Sequence, residues 1–232
     1  MIPIRDVNPS RGTPVVTYVL IAICVLVFVY EQMLGAQLRR FLLEYGLVPI
    51  RYSDPKIAAH FTVSEQLWPF VTSMFLHGGW LHLIGNMWTL YIFGDNVEDF
   101  LGHHRYLFFY LVCGVTAGVL HLVTNLDSRL PTIGASGAIA GVMGAYLLLF
   151  PRARIVTLLP IFFFFTFLEV PAYVFLGFWF LLQFFSGVGG FLSGQGGAGG
   201  IAWWAHIGGF LAGVFLVRLL QPDRFRERSL PQ

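Results

Sequence analysis

Charge is scarce in this chain. Lys, Arg, Asp and Glu make up 11% of 232 residues, whereas 56% are hydrophobic, so too little polar surface exists to clothe a water-soluble domain. The formal net charge of +2 comes without a basic patch interleaved with aromatics, which argues against nucleic acid as a partner. Cysteine is nearly absent as well. Cys24 and Cys113 both fall in apolar stretches, where they read as small hydrophobes rather than a disulfide or a metal site. The zinc-protease pattern His-Glu-x-x-His is missing, and His77 and His82 are five residues apart rather than four, so neither a metal nor another cofactor is expected. Asp95 and Asp99 have no second transmembrane aspartate to face them, which removes a paired-aspartate protease. A proton-coupled transporter needs acids near the membrane midplane, and Glu169 is the one candidate; its neighbour Pro171 makes an interfacial break an equal reading.

What is present is apolar sequence. The mean hydropathy is +0.72 and Phe alone occurs 24 times, and a run of about 20 apolar residues suffices to cross a bilayer as a helix. Six such runs can be drawn, at 15–34, 81–93, 106–124, 133–150, within 155–185, and 201–220. The second is short unless it begins earlier. Pro160 and Pro171 divide the fifth region, because proline breaks the helix ladder. Its first part reads as a segment along the membrane surface and 168–185 as the span; two spans there would reverse the C-terminus. The expected fold is therefore an all-α, polytopic membrane protein with a six-helix membrane domain at 15–220, a cytoplasmic segment at 1–14 and a cytoplasmic tail at 221–232.

Orientation follows from basic residues. With the N-terminus inside, Arg5, Arg11, Arg105, Arg152, Arg154, Arg218, Arg224, Arg226 and Arg228 lie on the inner side, nine of the 14 Lys plus Arg, as the positive-inside rule favours. Two connections stand out. The loop at 35–67 is long and mixed, and 187–200, "GVGGFLSGQGGAGG", holds eight glycines and no charge. Such a segment reads either as a flexible connector or as a lid over an intramembrane site.

Polar side chains are few enough inside these spans to be informative. Ser136 sits in Gly134-Ala135-Ser136-Gly137 at the start of the fourth span, and "AHIGGFLAG" puts His206 at the same depth in the sixth. In the second span "HGGWLHLIGN" carries His82 and Asn86 four residues apart, on one helix face. Gly137 and Gly141 in the fourth span, and Gly209 and Gly213 in the sixth, recur in small-xxx-small spacing, which can let two backbones approach closely. Each residue has a plain reading too. A lone membrane serine commonly bonds back to a preceding carbonyl, and a lone histidine serves packing or a polar cavity. Four polar groups at one level, with glycine seams between their helices, make a poor set of independent packing accidents.

These segments resemble the rhomboid intramembrane serine proteases. The similarity rests on "HGGWLHLIGNMW", "VEDFLG", "GASG" and "AHIGGFLAG", in that order, across residues 68–213. It implies a Ser-His dyad with Ser136 as nucleophile and His206 as general base and then general acid. It also implies an oxyanion site formed by the Ser136 N–H and the side chains of His82 and Asn86. No acid is placed to orient His206, so no triad is expected. The resemblance further implies transmembrane protein substrates cleaved near the outer face, and the compactness of the chain reads as a multi-pass protein of a prokaryotic inner membrane. The chain departs from the family pattern at Trp68-Pro69, where Trp-Arg is common, and directly after the "VE" of "VEDFLG", where a basic residue is usual; both departures bear on the loops. The rival from another class is a non-proteolytic rhomboid-like protein that binds membrane helices, against which intact Ser136 and His206 argue.

Overall fold

The computed structural model describes residues 1–161, 164–192 and 202–221. The fold is mostly helical. Among the described residues six long helices stand out: α1 (Val15–Met33), α2 (Trp80–Leu101), α3 (His103–Thr124), α4 (Ser136–Leu149), α5 (Ala172–Leu192) and α6 (Trp203–Leu219). Of these, α1, α3 and the 172–190 part of α5 are long and apolar enough to cross a membrane, while α4 and α6 are shorter apolar helices. α2 is as long as α3 but ends on Asp95, Glu98 and Asp99. It extends beyond the expected 81–93 at both ends because its polar residues are partnered. The buried Glu98 carboxylate accepts from the N–H groups of Val16 and Thr17, each at 2.8 Å, and from the Thr17 hydroxyl at 2.8 Å. It thereby satisfies donors that the start of α1 leaves without an intrahelical acceptor.

Two expectations are corrected. The fold is not all-α: β1 (Ile2–Asp6), β2 (Arg154–Ile161) and β3 (Phe164–Pro171) form an antiparallel sheet in the order β1-β2-β3. The region at 155–185 accordingly holds strands β2 and β3 followed by one helix that starts at Ala172, rather than a surface segment followed by a span beginning at Leu168. Pro171 is the last residue of β3 and α5 starts immediately after it, so proline still marks the break. Glu169 lies on β3 opposite Val156, exposed, with Arg154 at 3.5 Å, not within a span. The second correction concerns the glycine-rich 187–200. Its first six residues belong to α5, and the remainder lies outside the described residues, as do 222–232 of the expected tail.

Opposite ends of the bundle are built differently. At one end the sheet closes over α2 and α4: the Trp88 indole N–H donates to the Pro3 carbonyl at 2.7 Å, and the Tyr146 hydroxyl to Asp6 Oδ2 at 2.6 Å. At the other end the long connection between α1 and α2 is folded into short helices at 38–45, 50–53, 55–58, 63–67 and 69–72. The buried Arg51 guanidinium holds them together. It donates to the carbonyls of Leu43, Glu44 and Glu65 at 3.1, 3.2 and 2.8 Å and lies 3.8 Å from the centre of the Phe61 ring; burial lowers its pKa. Leu47 and Thr132 exchange backbone hydrogen bonds at 3.1 and 2.8 Å, so this connection fixes the segment that leads into α4.

α4 is the central helix. Every residue from Gly137 to Tyr146 is buried, with α3 on one side and α6 on another. A Cβ on Gly209 would meet the Gly137 carbonyl, and one on Gly213 the Gly141 carbonyl. On the α3 side a Cβ on Gly137 would lie 2.6 Å from Ala117 Cβ, and one on Gly141 2.5 Å from Cys113 Cβ. In hydrocarbon, where burial of apolar surface gives no drive for association, such close van der Waals packing holds helices together.

Candidate active site

Ser136 is the first residue of α4. Its backbone N–H therefore belongs to the turn that has no intrahelical acceptor, and the positive end of the helix dipole lies beside it. The approach to it is set by Gly134, whose φ of +122° is a conformation side chains rarely adopt. A Cβ there would also lie 2.6 Å from His82 Nε2 and 3.5 Å from Asn86 Nδ2. Its N–H donates to the Ser73 carbonyl at 2.9 Å. The turn before the serine is thus pinned by backbone and walled by α2.

The glycine seam brings α6 onto α4 so that His206 Nε2 stands 2.8 Å from Ser136 Oγ. That is hydrogen-bond distance, with no long side chain bridging the gap. Asn86 is buried, and its Nδ2 has no hydrogen-bond partner among the described residues. An amide N–H left unpaired in a buried place costs free energy, and this one is directed at the Gly134 turn. His82 Nδ1 lies 3.5 Å from the Gly78 N–H, a long contact that leaves its Nε2 facing the same turn. Ser136, His206, His82 and Asn86 all line one cavity of about 970 Å³, together with His121 and Ala202. His77, one register upstream, is drawn the other way. Its N–H faces both Glu31 oxygens at 3.3 Å, and its ring packs edge-on against His82 at 5.2 Å.

Two residues of this site escape the sequence reading. His121 of α3 lines the cavity and is buried; it sits among apolar residues with no motif to mark it. Gln183 of α5 places Oε1 2.7 Å from His206 Nδ1. A signal for it existed, since Gln183 is the one amide in a 21-residue helix that carries no charged residue. This partner of His206 is a neutral amide.

The arrangement can do acyl-transfer chemistry. A hydroxyl is a poor nucleophile until a base takes its proton, and an imidazole at 2.8 Å is such a base. A helix start and an unpaired amide N–H are the kinds of donor that receive a developing oxyanion.

Residues 64–222 match the model of the rhomboid domain. The chain is 32% identical over 138 residues to Rhomboid protease GluP of Bacillus subtilis (strain 168), a stretch covering 60% of this chain and 25% of that protein. It is 37% identical over 83 residues to RHOMBOID-like protein 6, mitochondrial, of Arabidopsis thaliana, covering 36% of this chain and 26% of that one. Rhomboid protein 1, mitochondrial, of Saccharomyces cerevisiae is 32% identical over 142 residues, covering 60% and 37%. The matched part thus spans between a quarter and two fifths of these relatives' own length.

Proposed function

The chain belongs to the rhomboid family, and from that premise we propose that it is an intramembrane serine endopeptidase cutting transmembrane segments of other proteins. The observation that carries this reading is the 2.8 Å approach of His206 Nε2 to Ser136 Oγ in the wall of a cavity. In the proposed mechanism His206 takes the Ser136 proton as Oγ adds to the scissile carbonyl, then gives it to the leaving amine as the C–N bond breaks. The Ser136 N–H, Asn86 Nδ2 and His82 Nε2–H are the donors for the tetrahedral oxyanion. Water then repeats the cycle on the acyl-enzyme. A helical substrate hides its peptide bonds in its own hydrogen bonds, so helix-unstable segments are the substrates that reach Ser136.

α1 to α6 each cross the bilayer in this reading, both termini are cytoplasmic, and Ser136 lies a short distance below the outer face of a prokaryotic inner membrane. The distribution of arginines supports the orientation. A fluorophosphonate probe tests the chemistry in lipid-reconstituted protein. Labelling of wild type should disappear in folded Ser136→Ala and in His206→Ala, and the same label on Ser136→Ala would overturn the assignment.

A further inference from the structure

The side of His206 away from the serine is built by α5. Ala172, Leu176, Trp179, Gln183 and Gly187 fall on one stripe of that helix at helical spacing. Apart from the half-buried Trp179, these residues are buried. Trp179 lays its ring against the His206 ring, centroids 5.8 Å apart at 35°, and Trp203 meets it edge-on at 6.5 Å. One turn beyond Trp179, Gln183 is 7% exposed, with Oε1 at 2.7 Å from Nδ1. The imidazole is therefore gripped on its face and at the nitrogen it does not offer to Ser136.

We propose that Gln183 is a positioning residue that holds His206 in the tautomer needed for base catalysis. An amide oxygen only accepts hydrogen bonds, so the contact at 2.7 Å puts the single proton of neutral imidazole on Nδ1. Nε2 then presents its lone pair to Ser136, and the hydroxyl is the donor across the 2.8 Å contact. In the opposite tautomer Nε2–H would donate to Oγ and could take no proton from it. During the reaction the Oγ proton moves to Nε2, giving an imidazolium with both nitrogens protonated. It leaves again from Nε2 to the departing amine. The Nδ1 proton stays on the Gln183 side throughout, so the ring returns in the same state. A neutral amide does this without placing a carboxylate charge on a lipid-facing helix, where burial of a charge is expensive.

The inference rests on the Ser136–His206 reading, and its test separates the two. Wild type, Gln183→Met, Gln183→Glu and Ser136→Ala are compared in lipid by two readouts. One is the ¹⁵N resonances of the His206 ring, identified by their loss in His206→Gln; the other is the rate of labelling by a fluorophosphonate. Wild type should show protonated Nδ1 and bare Nε2. Gln183→Met, with the same length and no oxygen, should lose that preference and label about 10-fold more slowly at saturating probe, the worth of one hydrogen bond to the ring. Gln183→Glu, which restores an oxygen acceptor, should recover both. Protonated Nε2 in wild type would overturn the proposal even if no variant folds. So would a Gln183→Met protein with the wild-type tautomer, whatever its rate. Failure of the protease reading looks different: label that persists in Ser136→Ala, or none on wild type, while the ring signals still report the tautomer.

Discussion

α4 and α5 are both apolar helices that meet α6, yet they do opposite jobs. α4 is buried on every side from Gly137 to Tyr146, and its glycines admit neighbouring backbone directly. α5 turns one stripe inward and leaves Tyr173, Val174, Phe178, Leu181, Leu182, Phe184 and Phe185 exposed, as a lipid-facing helix does. Ser136 rides on the first, and the amide beside His206 on the second. Precision in the Ser136–His206 distance is set by backbone packing, which has no slack. The orientation of the ring is set by a helix held along one edge. The difference separates what fixes the reacting atoms from what tunes them, and each half can be disturbed without the other.

The largest effect should come from the seam. Gly213→Leu drives a branched side chain into the Gly141 carbonyl, and backbone cannot yield as a side-chain tip can. A loss of at least about 3 kcal/mol is expected, read as a collapse of the thermal midpoint in detergent together with loss of Ser136 labelling. A Gly213→Leu protein with wild-type midpoint would break the contrast between α4 and α5 outright. Asn86→Ala comes next, and it should act on rate rather than fold. Since Asn86 Nδ2 has no partner among the described residues, its removal strands none of their groups. Turnover should fall by about 10- to 1,000-fold, the range for one oxyanion donor, at nearly unchanged stability. A wild-type rate would take Asn86 out of the oxyanion site.

How far these features could be read from sequence depends on which force made them. Four helices, at Val15–Met33, His103–Thr124, Ser136–Leu149 and Trp203–Leu219, fall within three residues of the apolar runs at 15–34, 106–124, 133–150 and 201–220, because hydropathy is what defines them. The C-terminal end of α2 escapes the apolar run because Glu98 is buried by distant partners in α1, which a local window does not see. The hairpin of β2 and β3 was missed for another reason. Residues 154–171 are apolar and rich in Phe, Ile and Val, a composition that a strand and a buried helix share over short runs. The site was legible in its motif residues Ser136, His206, His82 and Asn86. Gln183 stands out in the sequence as a lone amide, but its place beside His206 is not legible there, because nothing local says which face of α5 turns inward.

The sheet end provides a milder test of packing against tuning. Burial pushes the Asp6 carboxyl up from its ordinary 3.8 to about 6, with nearby Asp95 adding to the rise and the bond from Tyr146 opposing it. Because the folded pKa is the higher one, the proton-linked stabilisation is complete below 3.8 and is lost as pH rises through about 6. The thermal midpoint should therefore decline across that window, and Asp6→Asn should flatten the decline. Tyr146→Phe should cost about 1 kcal/mol while leaving Ser136 labelling intact, since the bond lies at the end of α4 away from the serine. A midpoint that rises over the same window would mean that Asp6 is stabilised as the carboxylate.

The smallest predicted effect bears most directly on the contrast between the two helices. Gly177 lies in α5, and a Cβ there would meet nothing within 4 Å. Gly177→Ala should then stabilise by up to about 1 kcal/mol, since the folded helix loses no contact and the unfolded chain loses freedom. Gly209→Ala, the same change on the seam, meets the Gly137 carbonyl and should destabilise. Opposite signs for one substitution on two neighbouring helices would sharpen the division. A destabilised Gly177→Ala would instead mean that the outward face of α5 is covered by something other than lipid. If Gly177→Ala raises the midpoint and leaves the labelling rate alone, stiffening α5 does not alter the grip on His206. That grip then lies in the side chains of Trp179 and Gln183 rather than in the rigidity of the helix that carries them.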